Sequence, residues 1–223
     1  MKIAILTGAG VSAESGLGTF RDKNGLWTRY DLNEVATPEG FALNPALVHD
    51  FYNARRANCA EASPNAAHVA LAQLAETAHD ITLITQNVDD LHSRAGSLNV
   101  VHMHGELMRA LCASCGARWD APLVMDPSDA CPSCGAATTR PDIVWFGEIP
   151  YHMDAIAEAV ERADLFVAIG TSAEVYPAAG LVELARGQTL EINLEASARA
   201  NAFDDHLFGP ATEVVPSWVA ELS

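Results

Sequence analysis

The apolar segment Lys2–Thr7 (KIAILT) runs straight into the nine residues Gly8–Gly16 (GAGVSAESG). A buried strand that empties into a glycine turn and a helix start opens a βαβ unit, and that commits a chain to a parallel sheet. Gly8-Ala9-Gly10-Val11-Ser12-Ala13 fits the pattern G-x-G-x-x-G/A. Gly8 serves the tight turn, and Gly10 leaves no Cβ between backbone and a phosphate. Ala13 allows the helix to pack closely on the strand, and the helix N-terminus faces negative charge. Two readings stand at this point: a dinucleotide loop, or a connection that is only structural.

Further apolar, β-branched runs repeat the strand signal at Asp80–Thr85, Asn99–Met103, Asp164–Gly170 and Gln188–Asn193, with a last short one near Thr212–Val215. Helical periodicity lies between them. Ser63-Pro64 suits a cap and first turn, after which Ala67, Ala70, Leu71, Leu74, Ala75 and Ala78 form an apolar stripe. In Tyr151–Ala163, Met153, Ile156, Ala157 and Val160 share a face. Strands alternating with helices predict an α/β fold, a Rossmann-like doubly wound parallel sheet. Two stretches break the rhythm. Residues 22–78 contain helices without a convincing strand, and residues 109–140 hold four cysteines and little periodicity. The expected division is a Rossmann-like dinucleotide-binding domain from residues 1–30, 79–108 and 141–223, a helical insertion at 31–78 and a small zinc-binding module at 109–140.

With 223 residues and 49% apolar side chains, the chain can bury a sizeable core. No apolar run reaches membrane-spanning length, and a strand starting at residue 2 leaves no room for a leader peptide, so a cytoplasmic protein is expected. The net charge is −16, with 13 basic against 29 acidic residues. Such a surface repels nucleic acid and anionic membranes and attracts basic peptides, or it serves solubility alone.

Cys112-x-x-Cys115 and Cys131-x-x-Cys134 are two knuckles fifteen residues apart. Two thiolates on each of two facing turns complete a tetrahedral S₄ site, which predicts one structural zinc with no open position for water or substrate. Disulfides are the weaker reading in a chain expected to be intracellular. Cys59 stands alone in a helical stretch and reads as buried and inert.

An acidic residue about twenty positions after the glycines, usual in hydride-transfer enzymes, is missing, because the next clear strand begins only at Asp80. Glu195, just beyond Gln188–Asn193, offers a displaced ribose ligand. Gln86, Asn87 and Asp89 follow a strand end, where ligand crevices of open α/β sheets lie. They suit a ligand with hydroxyls and a carboxamide, or they cap their own helix. His104 ends the next strand before Gly105 and is the candidate base, with an ordinary pKa of about 6.5.

GAGVSAESGLGTFRD (Gly8–Asp22), TQNVDDLH (Thr85–His92), HGE (His104–Glu106), the paired cysteine knuckles, PDIVWFGE (Pro141–Glu148), GTSAEVYPAA (Gly170–Ala179) and INLE (Ile192–Glu195) occur in that order. With these motifs the chain resembles the sirtuin family of NAD-dependent protein deacylases over nearly its whole length. The resemblance implies NAD as a consumed co-substrate, bound between a Rossmann-like domain and the zinc module. It implies attack of an acyl-lysine oxygen on the ribose carbon, release of nicotinamide through an alkylimidate, and release of free lysine and O-acyl-ADP-ribose.

On this resemblance His104 is the general base and Asn87 a catalytic partner. Gln86, Asn87, Val88 and Asp89 contact ribose, water and carboxamide. Gly8, Ala9, Gly10, Ala13 and Glu14 belong to the phosphate loop, while Thr19, Phe20, Arg21 and Trp27 close over the cofactor. Gly170, Thr171 and Ser172 line the phosphate and ribose side. Asn193, Leu194 and Glu195 take the adenosine ribose, and Ala211 contacts adenine. The substrate peptide lies between Val144–Glu148, with Phe146 and Gly147, and Glu174–Tyr176, with Val175 and Tyr176, by strand addition. Gly18 where proline is common, and Asp90 where glycine is common, depart from the family pattern without removing a reacting group.

Leu47, Val48, Phe51 and Tyr52 form the apolar face of a helix starting after Asn44-Pro45. Tyr52 and Arg55 are neighbours on that surface, resembling the Tyr-x-x-Arg pair of sirtuins that remove succinyl and malonyl groups. An exposed arginine beside a core tyrosine is the plainer reading of the spacing. The partners implied are acylated lysine peptides, with no nucleic acid or membrane, and a monomer is expected. Mono-ADP-ribosyl transfer, NAD hydrolysis and non-catalytic NAD sensing remain as alternatives.

Overall fold

A computed structural model describes residues 1–18 and 30–222. Thr19, Phe20, Arg21 and Trp27 therefore lie outside the described residues. In chain order the elements are β1 (Lys2–Thr7), α1 (Gly10–Ala13), α2 (Leu32–Val35), α3 (Pro38–Leu43), α4 (Pro45–Glu61), α5 (Ala66–Leu74), β2 (Asp80–Thr85), α6 (Leu91–Arg94) and β3 (Val101–His102). There follow β4 (Gly105–Cys112), β5 (Arg118–Asp120), β6 (Thr139–Ile143), α7 (Met153–Arg162), β7 (Leu165–Ile169), β8 (Gln188–Asn193), β9 (Asp205–Phe208) and α8 (Ala211–Leu222).

Six strands form a sheet in the order β3-β2-β1-β7-β8-β9. Every pairing in it is parallel. The chain winds outward from β1 on one side and returns beside β1 on the other, giving the expected Rossmann-like doubly wound sheet. Period-two alternation explains how β1 serves both faces. Ile3 and Ile5 pack with Val167, Ile169, Leu71, Leu74 and Trp218 on the α5/α8 side. Ala4 and Leu6 pack with Phe166, Ala168, Ile156 and Val160 on the α7 side. Each such fully buried aliphatic side chain contributes about 1.5–3 kcal/mol of burial.

Several sequence expectations shift here. Thr212–Val215 is the first part of α8, not a strand. Its β-branched run before Pro216 imitates a terminating strand, but Val215, Trp218 and Val219 are buried at helical spacing. The outer strand is Asp205–Phe208, which has too few apolar residues to announce itself. Asn99–Met103 shrinks to Val101–His102, because Asn99 sits at φ 56°. The cap of α5 is Asn65, whose side chain accepts from the amides of Ala67 and His68; Ala75 and Ala78 lie beyond the helix, exposed. Helix α4 starts as expected, with the Asn44 side chain accepting from the Leu47 amide and Pro45 in its first turn.

Between β3 and β7 the chain builds an antiparallel sheet of order β5-β4-β6 that leads into the cysteines. A third apolar cluster joins it to α4, through Phe51, Tyr52, Leu107, Ile143 and Trp145. Among the described residues, no helix is long and apolar enough to cross a membrane.

Candidate active site

The chain reverses direction across the sheet between β1 and β7, and in such sheets ligands bind outside the carboxyl ends of the strands at that point. The Gly8 amide donates to the Ile169 carbonyl at 2.9 Å, and the Gly10 amide to the Gly170 carbonyl at 2.8 Å. A Cβ on Gly10 would lie 2.7 Å from the Gly170 Cα, and one on Gly8 2.8 Å from the Gly170 oxygen. Both glycines are therefore required for the two loops to touch, in addition to any demand of a ligand. Ala13 is exposed rather than packed on the strand; Val11 fills that place in the core. The Glu14 carboxylate accepts from the Thr212 amide at 3.1 Å and from its hydroxyl at 2.8 Å, which ties the loop to α8 beside Ala211.

The end of β2 is wired to this loop. Asn87 donates its side-chain amide to the Gly8 carbonyl and to the Ser12 hydroxyl, both at 3.1 Å. Ser12 donates to Asp89 at 3.0 Å, and the other Asp89 oxygen accepts from the Leu91 amide at 3.1 Å. Asp89 thus bonds the first amide of α6, as the capping reading expects, and also holds the loop. Burial raises the Asp89 carboxyl above its ordinary value. The Val88 carbonyl accepts from the Leu107 amide at 2.7 Å and joins this edge to β4.

Beneath it lies a buried polar layer that sequence reasoning missed. His68 Nε2 is 3.4 Å from the Ser12 hydroxyl, and the His68 and His92 rings are 4.8 Å apart. His92 Nε2 is 2.9 Å from the Thr7 hydroxyl. Burial lowers both histidines, to about 4 for His68 and about 3 for His92, so both stay neutral near pH 7. The available signal was Asn65 three residues before His68, a reciprocal cap that fixes the ring.

His104 sits in the turn between β3 and β4, half-buried, with Nδ1 3.1 Å from the Gln86 carbonyl oxygen. A carbonyl only accepts, so Nδ1 carries the proton and Nε2 is left as the basic atom. Burial lowers its pKa, and the bond to Gln86 partly offsets this.

On the opposite side Thr171 is the junction. Its hydroxyl accepts from the Gln86 amide at 3.0 Å, and its carbonyl accepts from the Asn193 amide at 2.8 Å. Gly170 takes a left-handed φ of 63°, and Ser172 is half-buried. Leu194 and Glu195 are exposed past the end of β8. Sequence reasoning also missed Glu191, fully buried on β8, which accepts from the Ser197 amide at 3.0 Å and braces the loop after β8.

Val144 donates its amide to the His104 carbonyl at 2.9 Å, which places the segment after β6 beside the base. The Phe146 amide is taken by the Ala36 carbonyl and the Glu148 amide by the Trp145 carbonyl. The amides of Val144, Phe146 and Glu148 are thus engaged within the chain. Phe146, Val175 and Tyr176 are exposed, as is Gly147 at φ 89°. Glu148 is turned inward, accepting from Arg140 at 2.8 and 2.9 Å and from the Trp145 amide at 2.7 Å.

Tyr52 is buried and accepts from the Trp145 indole at 2.9 Å. Burial raises its phenol, keeping it protonated. The Arg55 guanidinium lies 5.5 Å from the centre of the Tyr52 ring, and burial lowers its pKa while Tyr52 and Asp89 raise it. Cys59 is buried, with its thiol pushed up to about 12, an inert environment.

The four cysteine sulfurs lie within 4.8 Å of one another, with Cys112–Cys134 and Cys115–Cys131 at 3.7 Å. A tetrahedron with Zn–S bonds of about 2.3 Å has edges of about 3.8 Å. Each knuckle closes identically. Gly116 and Gly135 donate to the carbonyls of Cys112 and Cys131 at 2.9 Å, at φ 72° and 75°. The donor set and spacing fit a structural zinc ion.

The family model described as "Sir2 family" matches residues 8–177. An NAD-dependent protein deacylase of Caulobacter vibrioides is 61% identical over 230 residues, covering 100% of this chain and 97% of that protein. Another, from Bdellovibrio bacteriovorus, is 51% identical and covers 98% and 95% of the two chains. A solved complex of a Sir2 homolog with NAD matches with a TM-score of 0.91 and 43% identity over 99% of this chain and 88% of that one. An ADP-ribose complex of a Sir2 homologue matches with a TM-score of 0.92 and 42% identity, over 99% and 91%.

Proposed function

This chain belongs to the Sir2 family, and we propose that it is an NAD-dependent protein-lysine deacylase accepting both acetyl groups and acyl groups that end in a carboxylate, such as succinyl and malonyl. The observation that carries the carboxylate half of this reading is the pairing of Tyr52 and Arg55 midway along α4. A protonated phenol beside a guanidinium is a donor-rich receptor in a low-dielectric setting.

In this reading the crevice takes NAD as a co-substrate: the acyl oxygen displaces nicotinamide at the ribose carbon, and one water is then consumed in releasing free lysine and O-acyl-ADP-ribose. Nε2 of His104 takes the proton of a ribose hydroxyl. Gln86, Asn87 and Asp89 orient the ribose, water and carboxamide, and their fixed bonds to Thr171, Gly8 and Ser12 prepay the cost of ordering them. The loops at Gly8–Gly10 and Gly170–Ser172 receive the phosphates, and Asn193 and Glu195 the adenosine ribose. The zinc stays outside the chemistry and holds the small sheet together.

Mass spectrometry of products from matched acetyl- and succinyl-peptides, with and without NAD, tests the reaction. Arg55→Met is expected to lower the succinyl-to-acetyl ratio of kcat/KM at least about tenfold, as loss of a charged hydrogen-bonding partner does. Equal loss on both peptides defeats the carboxylate-receptor role.

A further inference from the structure

The geometry points to Trp145 as a positioning residue for the acyl end of this site: its indole N–H occupies a lone pair of the Tyr52 hydroxyl and so turns the phenol proton toward an acceptor on the acyl group. The inference rests on the carboxylate reading above and adds a residue that reading does not contain.

A phenol has one proton and two lone pairs, whereas an indole N–H only donates. At 2.9 Å, between two buried rings, the Trp145–Tyr52 bond can run in one direction only. Arg55, the other polar neighbour of the phenol oxygen, also only donates. Neither partner can accept the phenol proton. Among the described residues the Tyr52 hydroxyl makes no hydrogen bond as a donor; a carboxylate offers its proton an acceptor, while the methyl group of an acetyl does not.

The indole is itself held from several sides. The Arg140 guanidinium lies 3.5 Å over its ring, and the Phe41 ring is 5.2 Å away. Arg140 is fixed by both Glu148 oxygens and by the Ile143 carbonyl at 2.7 Å. The Trp145 backbone amide is bonded to the same Glu148. A hydroxyl that rotates freely on an exposed tyrosine therefore meets a substrate with its proton already aimed, and pre-aimed groups bind with less loss of entropy.

Trp145→Phe keeps an aromatic ring and removes the donor. Its expected effect is a roughly three- to tenfold fall in the succinyl-to-acetyl ratio of kcat/KM, in line with one neutral hydrogen bond, read in the KM for the succinyl-peptide. In a Tyr52→Phe background the same substitution is expected to leave that ratio where Tyr52→Phe alone puts it. An unchanged ratio with Tyr52 intact, or an equal fall in both backgrounds, overturns the inference. Benzothienylalanine at position 145, isosteric with tryptophan but lacking the N–H, gives the same readout without a change of volume. If Arg55→Met also leaves the ratio unchanged, the carboxylate reading itself has failed; if Arg55→Met lowers it and the position-145 variants do not, only Trp145 has.

Discussion

Nδ1 of His104 faces the carbonyl oxygen of Gln86 at 3.1 Å, so the end of β2 sets the tautomer of a histidine that follows β3. The basic nitrogen is thereby Nε2, and burial lowers the pKa of the ring. Deacylation is expected to rise with pH as His104 loses its second proton, with the midpoint of the rise below the ordinary histidine value of 6.5. His104→Ala is expected to lower kcat by about 10²–10⁴. A pH profile with no ascending limb, or full turnover by the variant, counts against the assignment.

The cysteine tetrahedron predicts one zinc per chain. Replacing Cys131, a buried member of the set, with Ser is expected to abolish stoichiometric zinc by metal analysis. The thermal midpoint is expected to fall by about 10 °C or more, since metal binding and folding of such a module are one equilibrium. Retention of one zinc by the variant refutes a four-thiolate site.

Acid stability should report the buried histidine pair. Both rings are lowered from 6.5, His68 to about 4 and His92 to about 3, so below pH 6.5 the unfolded chain binds more protons than the folded one. Stability is therefore present above pH 6.5 and lost as pH falls toward about 4, by an amount of order 3 kcal/mol for His68. Asp89, raised by burial, acts with the opposite sign, losing stability as pH rises. Urea unfolding at several pH values should show a shallower slope between pH 6.5 and 4 for His68→Gln than for the parent chain. Parallel slopes would mean that His68 does not titrate on unfolding.

Much of the architecture was legible because its cause is local. The alternation in β1, the Asn44 cap and the cysteine spacing each act within a few residues. Residues Gln86, Asn87 and His104 also stood out, because polar side chains follow apolar strands there. What stayed hidden depends on distant partners. The strand-like Thr212–Val215 became helix because Val215 and Trp218 find a shared apolar layer with β1 and α5. Trp145 went unremarked inside the motif Pro141–Glu148, because its partner Tyr52 is 93 residues away. Gly8 read as serving a tight turn and Gly10 as making room for phosphate, but both also make room for Gly170.

The strand order has a consequence for synthesis. β1 is one of the two central strands, yet its pairing partners lie far along the chain, beginning at Asp80 and Leu165. Chains emerge N-terminus first at about 5–20 residues per second. Ile3, Ile5 and Leu6 therefore wait many seconds with both edges of their strand open. The glycine loop that β1 carries is tied to α8 only when Glu14 meets Thr212, 198 residues further along the chain. A chain that has not yet reached β7 and α8 bears the glycine loop without its partners and keeps a β1 edge open to association with other chains.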